Sequence, residues 1–313
     1  MGRDTTDSRK TLLVWGALAI VYVVWGSTYL AIKIVVETLP PLLGGAMRFV
    51  TASLILGAVV FLFRGRQAFR MNRRELGGAA LVGLLLLTGG NGMVAVAEQH
   101  ISSGLAALLV ASVPLWLVIF RVVTRDRPQL MTLAGVLIGF GGVAVLSLTG
   151  GGSAADGAGI AVILLASLSW SLGSFLSARI PMPADPFAAS AIEMAAGGAG
   201  LVLTALVVGE RLNLTAVSGR SWIALAYLVL MGSLVGFTAY VWLLGNAPIS
   251  LVSTYAYVNP VVAVVLGALI LSEPVTTSMV AAGVVIVLGV ALVVSTERRR
   301  KAEIVPEPEP TPV

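Results

Sequence analysis

The sequence predicts an all-α membrane protein with ten transmembrane helices, arranged as two inverted five-helix repeats. Of its 313 residues, 58% are hydrophobic and only 11% are charged, whereas a soluble domain carries about 25% charged residues. The charged residues fall in short clusters between apolar stretches of about 20 residues, the length that crosses a bilayer. Residue types in the first half of the chain also recur about 145 positions later. These three observations together define the predicted architecture.

Ten apolar stretches are long enough to cross the membrane. The first follows a charged N-terminus and is not followed by a small-residue cleavage site, so it is predicted to be a retained helix and not a signal peptide. Two of the connections between stretches are short enough to be tight helical hairpins, at 98–100 and 245–248. The predicted spans are residues 12–34, 42–63, 76–97, 101–123, 130–149, 157–178, 186–208, 222–245, 249–271 and 276–295.

The recurrence of residues indicates an internal duplication. Trp25 and Trp170, Arg48 and Glu193, Gly90 and Gly236, and Pro114 and Pro260 are pairs separated by 145 or 146 positions. Because each half has an odd number of helices, the second half must enter the membrane from the opposite side. Inverted repeats are typical of secondary transporters and place a site at the interface of the repeats. We predict an N-terminal segment 1–11, a first repeat 12–149, a linker 150–156, a second repeat 157–295 and a disordered tail 296–313.

The distribution of lysine and arginine predicts the orientation. If the N-terminus is cytoplasmic, 16 of the 20 basic residues lie in inner segments and three lie in outer segments. This bias favours cytoplasmic placement of both termini. The basic residues are dispersed among short loops, a pattern typical of topology signals and not of a nucleic-acid interface.

Several segments together resemble one family, an EamA-type member of the drug/metabolite transporter superfamily. The segments are VWGSTYLAIK at 24–33, LPP at 39–41, MRF at 47–49, STYAYVNP at 253–260 and LSEP at 271–274. The resemblance covers about residues 12–296. It implies an exporter of amino acids, drugs or other small metabolites in a bacterial inner membrane. It also implies a central cavity between the halves, with the fifth and tenth helices at the periphery.

Prolines and ionisable residues inside spans are the first candidates for a site. Pro114 and Pro260 each lack an amide proton and leave a carbonyl without its helical partner, which is expected at a transport site or at a packing kink. Arg48 and Glu193 each cost about 3 kcal/mol at a helix centre, so both should face the bundle interior. Arg48 is a candidate for binding an anionic group, and Glu193 for an amine or a coupling proton. The alternative is that both side chains hold nearby backbone or polar groups.

Aromatic and polar residues at helical spacing complete the predicted site. Trp25 and Trp170 lie too deep in their spans for interfacial belts, so they line a cavity or make ordinary helix contacts. Asn91 lies in a glycine-rich stretch, and its buried amide would need partners. The predicted substrate-binding residues are Trp25, Tyr29, Arg48, Asn91, Pro114, Trp170, Ser174, Glu193, Tyr257, Asn259 and Pro260, and Glu193 is also the predicted coupling residue.

The residues near the hairpins receive structural interpretations. Glu98 and His100 are expected to be solvated in the outer hairpin, with a pH-sensing role for His100 as the less favoured alternative. The steps Glu273-Pro274 and Arg127-Pro128 are interpreted as helix starts, with proline at the first helical position.

Other functional classes lack the residues that they require. The chain has no cysteine and one histidine, which excludes thiol-based metal sites and multi-histidine centres. No phosphate-binding loop of the Walker type occurs, and no catalytic cluster lies in the spans, so neither an enzyme nor a cofactor is predicted. The leading hypothesis is a monomeric secondary exporter that works by alternating access. An uncoupled uniporter is the alternative, and a membrane sensor or scaffold is the third. One cation, one carboxylate and several aromatics would suit a zwitterion or an amphipathic amine.

Overall fold

The computed structural model describes residues 3–125, 128–149, 154–247, 252 and 254–304. All regular structure in these residues is helical. The α-helices are α1 Arg3–Val35, α2 Pro41–Arg64, α3 Arg73–Gly83, α4 Met93–Ala97, α5 Ser103–Val110, α6 Val113–Val123, α7 Leu130–Thr149, α8 Ala154–Ser177, α9 Pro186–Val208, α10 Gly219–Tyr227, α11 Gly236–Asn246, α12 Tyr255–Leu271 and α13 Thr277–Ile304. Two π-helices, π1 Leu84–Gly92 and π2 Leu228–Val235, connect α3 to α4 and α10 to α11. Short 3₁₀ turns lie at Arg66–Phe69 and Leu214–Ala216.

Nine helical segments of the described chain are long and apolar enough to cross a membrane, which confirms the predicted fold class. They are Thr11–Val35, Pro41–Arg64, Arg73–Ala97, Ser103–Val123, Leu130–Leu148, Gly157–Ser177, Pro186–Val208, Gly219–Tyr240 and Thr277–Thr296. A shorter apolar helix, Val258–Leu271, occupies the position of the predicted ninth span. Part of that span, residues 249–251 and 253, lies outside the described residues, as does part of the predicted linker, 150–153.

The two halves of the chain are interleaved. α2 packs along α9, α1 along α12, and π1 along α8, so each of these pairs joins a helix of the first half to one of the second. Small residues allow the close approach. At Gly83, for example, an added Cβ would lie 2.3 Å from the backbone oxygen of Glu193, so α3 meets α9 backbone to backbone. The interface between the halves therefore runs through the middle of the molecule.

The fifth and tenth spans, α7 and α13, pack against each other at one edge of the bundle. Their contact is made by glycines. A Cβ at Gly289 would lie 2.5 Å from the backbone nitrogen of Gly139, and one at Gly135 would lie 2.9 Å from the oxygen of Gly289. Neither backbone could approach the other so closely if a side chain intervened. This pair links the two halves outside the central interface.

Polar side chains fix several helix starts. Asp185 accepts hydrogen bonds from the amides of Phe187 and Ala188 at the start of α9, and from Arg64 Nη1 at 2.5 Å. Burial by itself would raise the pKa of Asp185. The hydrogen bonds from Ala188, Arg64 and Phe187 outweigh it and lower the pKa below its usual value. At the other end, Gly209 ends α9 with φ of 77°, a left-handed conformation that favours glycine.

The tight hairpin between the third and fourth spans differs from the prediction. His100 is exposed as expected, but Glu98 is fully buried, so the expectation that Glu98 is solvated is wrong. Several elements pack around the hairpin: α8 lies along α4, Lys33 donates to the backbone oxygen of Glu98, and Glu273 of the second half accepts hydrogen bonds from the amide and the hydroxyl of Ser103, both at 2.9 Å.

Two predicted helix boundaries are also wrong. Glu273 and Pro274 do not begin the last helix, which starts at Thr277, because Thr276 caps it and accepts a hydrogen bond from the amide of Met279 at 3.2 Å. In the first half, α7 starts at Leu130 and not at Pro128, while Arg127 lies outside the described residues. The tail predicted to be disordered from 296 is helical to Ile304, because its arginine, lysine and glutamate residues favour helix. Residues 305–313 are outside the described chain.

We expect Gly289→Ala to destabilise the protein, because the new Cβ would overlap the backbone of α7, which cannot turn aside as a side chain can. Overpacking of this kind costs about 1–3 kcal/mol. Gly141→Ala on α7 is the matched control, since a Cβ there meets nothing within 4 Å and should be neutral or stabilise by up to about 1 kcal/mol. The measurement is thermal unfolding of the purified protein in detergent, and equal melting temperatures for the two variants would contradict the prediction.

Candidate functional site

A cavity lies at the central interface between the two halves. Its walls come from α1, α2, π1, α4 and the α5–α6 junction of the first half, and from α8, α9, π2, α11 and α12 of the second. The volume of the cavity is about 190 Å³. This is enough for a small metabolite, and it is below the roughly 300–1,000 Å³ of pockets for drug-sized ligands. The peripheral helices α7 and α13 contribute no residue to the described wall.

The helices that border the cavity depart from α-helical geometry. π1 and π2 each contribute wall residues, and the fourth span is divided into α5 and α6 at Ala111 and Ser112. Such departures change the direction of backbone carbonyls, and π-helical segments occur frequently at functional sites. In each π-helix, one backbone carbonyl oxygen accepts a hydrogen bond from a side chain of the other half. Ser169 Oγ donates to the oxygen of Leu85 at 2.8 Å, and Trp25 Nε1 donates to that of Gly232 at 3.3 Å.

Among the described residues that line the cavity, Arg48 is the one that carries a formal charge. It is 8% exposed, and its Nε donates a 2.9 Å hydrogen bond to Ser233 Oγ on π2. Its guanidinium carbon lies 4.7 Å from the ring centre of Phe49, which is a favourable cation–π distance. The hydrogen bonds of the described chain thus use one of the five N–H donors of Arg48. The remaining donors make the wall suited to an anionic group.

An aromatic cluster forms the wall next to α1. The Trp25 ring lies 5.0 Å from the ring of Tyr240 and 5.3 Å from that of Tyr255, the latter nearly perpendicular at 88°. Tyr240 and Tyr255 meet edge to face at 5.9 Å. These separations are typical of stabilising aromatic pairs. Trp25, Tyr29 and Tyr255 line the cavity, so one side of it is broad, apolar and rigid.

Trp170 and Asn91 occupy the wall on the side of π1. A Cβ at Gly90 would lie 2.9 Å from the Trp170 ring, so the absence of a side chain at Gly90 makes room for the indole. Asn91 lines the cavity and also a smaller adjoining pocket bordered by α1 and α2. No hydrogen bond within the described chain involves the Asn91 side chain, so its amide can serve a bound molecule.

The two predicted prolines both line the cavity but have different surroundings. Pro114 lies at the start of α6, just after the break in the fourth span, and Val110, whose carbonyl lacks a helical partner at Pro114, is also on the wall. Pro260 lies inside α12, which continues through it. The neighbouring Asn259 is buried, and in the orientation that satisfies its amide it donates to the oxygens of Tyr255 and Tyr22, both at 3.2 Å.

Eight of the eleven predicted site residues therefore meet at one cavity, two do not, and the side chain of the last is not described. Ser174 donates to the carbonyl of Trp170 on its own helix at 2.9 Å. Glu193 is half-buried on α9 and lies outside the wall, although its neighbour Met194 is part of it. The side chain of Tyr257 lies outside the described residues.

Several residues of the wall are not among those predicted from the sequence. Ser233, the partner of Arg48, and Phe237 lie on a stretch of the eighth span whose glycine spacing favours close packing instead. Tyr255 belongs to the STYAYVNP motif but is not among the predicted site residues. The glycine-rich pattern shared by the third and eighth spans is the signal that could have found them, because both stretches form π-helices. Among the described residues, no group of three or more His, Cys, Asp or Glu side chains could hold a metal ion.

The family model for the EamA-like transporter family matches residues 13–148 and again residues 157–295. The chain belongs to the EamA-like transporter family. The two matches cover both halves of the chain, in agreement with a duplicated architecture. Membership makes the protein a membrane transporter.

Similar proteins from other bacteria support the same class. The uncharacterized inner membrane transporter YedA of Escherichia coli K12 is 42% identical over 261 residues, which is 83% of each chain. The uncharacterized transporter YvbV of Bacillus subtilis is 26% identical over 290 residues, 91% of this chain and 92% of that protein. A crystal structure matches with a TM-score of 0.63 and 21% identity over 93% of this chain and 99% of the other, and it shows the fold alone. The transporter is thus a multi-pass protein of a bacterial inner membrane.

Ser233→Ala is expected to destabilise the protein, because it leaves the charged Arg48 Nε–H buried without its partner. Hydrogen bonds to charged groups contribute about 1.5–3 kcal/mol. Thermal unfolding of the purified protein measures the change, and Ser233→Thr, which keeps the hydroxyl, should lose less. Ser190→Ala is the control, since Ser190 bonds to the carbonyl of Pro186 within its own helix. A loss as large for Ser190→Ala as for Ser233→Ala would contradict the role given to the Arg48 contact.

Proposed function

We propose that this transporter exports small carboxylate-bearing metabolites with an apolar or aromatic body, by alternating access of the cavity to the two sides of the membrane. The observation that carries the proposal is the position of Arg48 on the cavity wall, with one hydrogen bond to the described chain. In a low-dielectric site a guanidinium and a carboxylate form short, charge-assisted hydrogen bonds that are stronger than neutral ones. The aromatic side chains of Trp25, Tyr29 and Tyr255 on the cavity wall would then accommodate the apolar body of the substrate.

The charge of the wall supports carboxylates over cationic compounds. Glu193, the carboxylate expected to meet an amine, lies outside the wall, and no other acidic side chain is found among its described residues. A cationic dye would therefore face Arg48 without an opposing charge. A zwitterion remains in the proposed class, because an ammonium group can bind carbonyl oxygens such as that of Val110.

The interleaved halves support alternating access. Each half contributes a long tryptophan-bearing helix, α1 or α8, that packs against the π-helical segment of the other half. A small rotation of one half against the other would change which end of the cavity is closed, as is usual in transporters built from inverted repeats. We propose that both termini are cytoplasmic, following the distribution of basic residues, so the hairpin at 98–102 lies at the outer end. The protein is proposed to act as a monomer of the two repeats.

Transport into inside-out membrane vesicles tests the substrate class. Three probes share one aromatic body: phenylalanine carries both charges, 3-phenylpropionate lacks the amine, and phenethylamine lacks the carboxylate. We expect uptake of the two carboxylates and not of phenethylamine or a cationic dye. Uptake of phenethylamine and the dye alone would overturn the proposal. Each probe is measured with and without a proton uncoupler, since flux that is insensitive to the uncoupler would indicate an uncoupled uniporter.

Arg48→Gln is expected to weaken carboxylate transport by about 10- to 150-fold in apparent affinity, because it removes a contribution of about 1.5–3 kcal/mol. The apparent affinity of Arg48→Lys should fall between those of wild type and Arg48→Gln, since lysine keeps the charge but lacks the planar fork of donors. The matched control is Arg220→Gln, which removes an equal charge from an exposed pair with Glu37 at 3.7 Å. Equal transport by wild type and Arg48→Gln would show that the guanidinium does not bind the substrate.

The predicted role of Glu193 as proton carrier stays a prediction. Its position outside the wall gives no direct support to a contact with the substrate. Uncoupler-sensitive flux that is lost in Glu193→Gln would support the role, and unchanged sensitivity in that variant would remove it.

A further inference from the structure

The hairpin at 98–102 holds a buried carboxylate that lies outside the cavity wall. Glu98 follows α4 directly and is fully buried. Neither of its carboxylate oxygens has a hydrogen-bond partner in the described part of the chain. An ionised carboxylate without a partner is very costly in an apolar environment, so such a group binds a proton instead. Among the described contacts of the hairpin, none uses a negative charge on Glu98 to stabilise the structure.

The charged neighbours of Glu98 are engaged elsewhere. Lys33 on α1 donates from its ammonium to the backbone oxygens of Glu98 and Ile101, the latter at 2.9 Å, and so holds the C-terminal end of α4. Glu273 accepts from the amide and hydroxyl of Ser103, and from the next amide of α5 at 3.3 Å. Both contacts are favourable because a cation stabilises a helix C-terminus and an anion an N-terminus. Neither Lys33 nor Glu273 forms a hydrogen bond with the Glu98 carboxylate.

The electrostatic environment favours the neutral form of Glu98. Burial raises the pKa of Glu98 well above its usual value, the Lys33 charge lowers it in part, and the Glu273 charge raises it again. A further titratable neighbour is Tyr29, which lies within electrostatic range of Glu98. Proton binding at Glu98 is thus favoured as long as the hairpin keeps water away from it.

The hairpin connects the two halves next to the cavity. Glu98 and Lys33 belong to the first half and Glu273 to the second, and the contact of Glu273 with Ser103 joins residues 170 positions apart. Tyr29, one helical turn before Lys33 on α1, is part of the cavity wall. If the halves part at this end, Glu273 leaves α5 and water reaches Glu98. The protonation of Glu98 is therefore linked to the closure of this end of the cavity.

We propose that Glu98 is a proton-binding site that couples proton binding to the closure of the cavity at its hairpin end. With the end open, the carboxylate takes a proton from water on that side, which leaves a neutral carboxylic acid that can be buried. Closure then buries the acid beside Glu273 and Lys33, the arrangement that the present structure shows. Reopening returns the proton to water. The coupling part of this inference rests on the proposed transport function, whereas proton binding itself does not.

The pH dependence of stability tests proton binding without a substrate. Glutamate in an unfolded chain has a pKa of about 4.3, and the folded value of Glu98 is higher, so the folded state binds more protons between these two values. The contribution of Glu98 to the free energy of unfolding is at its maximum below the pKa of the unfolded state. It is lost as the pH rises through the pKa of the folded state. The melting temperature of wild type should therefore fall as pH rises toward alkaline values, whereas Glu98→Gln should show a smaller fall. Glu37→Gln, at an exposed pair on the same end of α1, should keep the wild-type slope. An unchanged slope in Glu98→Gln would overturn the inference.

Infrared difference spectroscopy of the full-length protein in nanodiscs identifies the group directly. A buried protonated carboxylic acid gives a carbonyl-stretch band that a carboxylate lacks. At neutral pH the band should be present in wild type, Glu193→Gln and Glu37→Gln, and absent or strongly reduced in Glu98→Gln. If the amide variant does not fold, Glu98→Asp serves instead: it keeps a carboxyl group in a different position, so the band should shift in frequency, and an unshifted band would overturn the assignment. A band that survives in Glu98→Gln and disappears in Glu193→Gln would assign the proton to Glu193 and overturn the proposal.

Transport of phenylalanine or 3-phenylpropionate in proteoliposomes tests the coupling. With a pH gradient imposed by changing the pH on the hairpin side alone, the downhill flux of the probe through wild type should change, while Glu98→Gln should keep downhill flux and lose its dependence on the gradient. A sodium gradient of the same size should have no effect in either protein. Glu98→Gln that keeps the wild-type response to pH would overturn the coupling. If wild type transports neither probe, the proposed substrate class fails while the infrared test still decides whether Glu98 binds the proton.

Discussion

The structure depends on one constraint: inside a bilayer no water is present to bind backbone amides and carbonyls. Most spans satisfy this constraint because an unbroken α-helix pairs its own backbone amides and carbonyls. The departures, π1, π2 and the break between α5 and α6, all border the central cavity or the opposite half, where other groups can serve the freed carbonyls. The Ser169 hydroxyl donates a hydrogen bond to the carbonyl of Leu85, and the Trp25 indole donates one to the carbonyl of Gly232. The irregular backbone therefore marks the region where a polar molecule can be bound.

The duplication makes this arrangement nearly symmetric. Trp25 and Trp170 are repeat partners, as are Gly90 and Gly236, and each tryptophan lies against the glycine of the opposite half. A Cβ at Gly236 would lie 2.7 Å from the Trp25 nitrogen, and one at Gly90 would lie 2.9 Å from the Trp170 ring. The same contact thus occurs twice, once on each side of the cavity. Two equivalent contacts provide what alternating access needs, since movement at one end has a counterpart at the other.

The charges near the cavity have different surroundings, and these determine their roles. Arg48 has an unused set of donors on the wall, so it can bind an anion. Lys33 and Glu273 are used at helix ends, where their charges complement the helix dipoles. Glu98 is buried without a hydrogen-bond partner in the described chain, which is the basis for the proposal that it binds a proton there. Position relative to the two halves, more than residue type, separates the group proposed to bind substrate and the group proposed to bind a proton from the charges used at helix ends.

The sequence by itself determined the helical fold, the repeat and eight residues that meet at the cavity, because apolar length, recurrence and the cost of polar groups in lipid are local properties. Only the tertiary structure decided the surroundings of individual side chains. Glu98 looks solvated in a short hairpin, but it is buried, because α8 and Glu273 of the second half pack against the segments that the hairpin joins. Glu193 lies in a span, as predicted, yet its side chain is outside the cavity wall that includes its neighbour Met194. Burial depends on contacts between distant parts of the chain. Helical periodicity within one segment carries no information about those contacts.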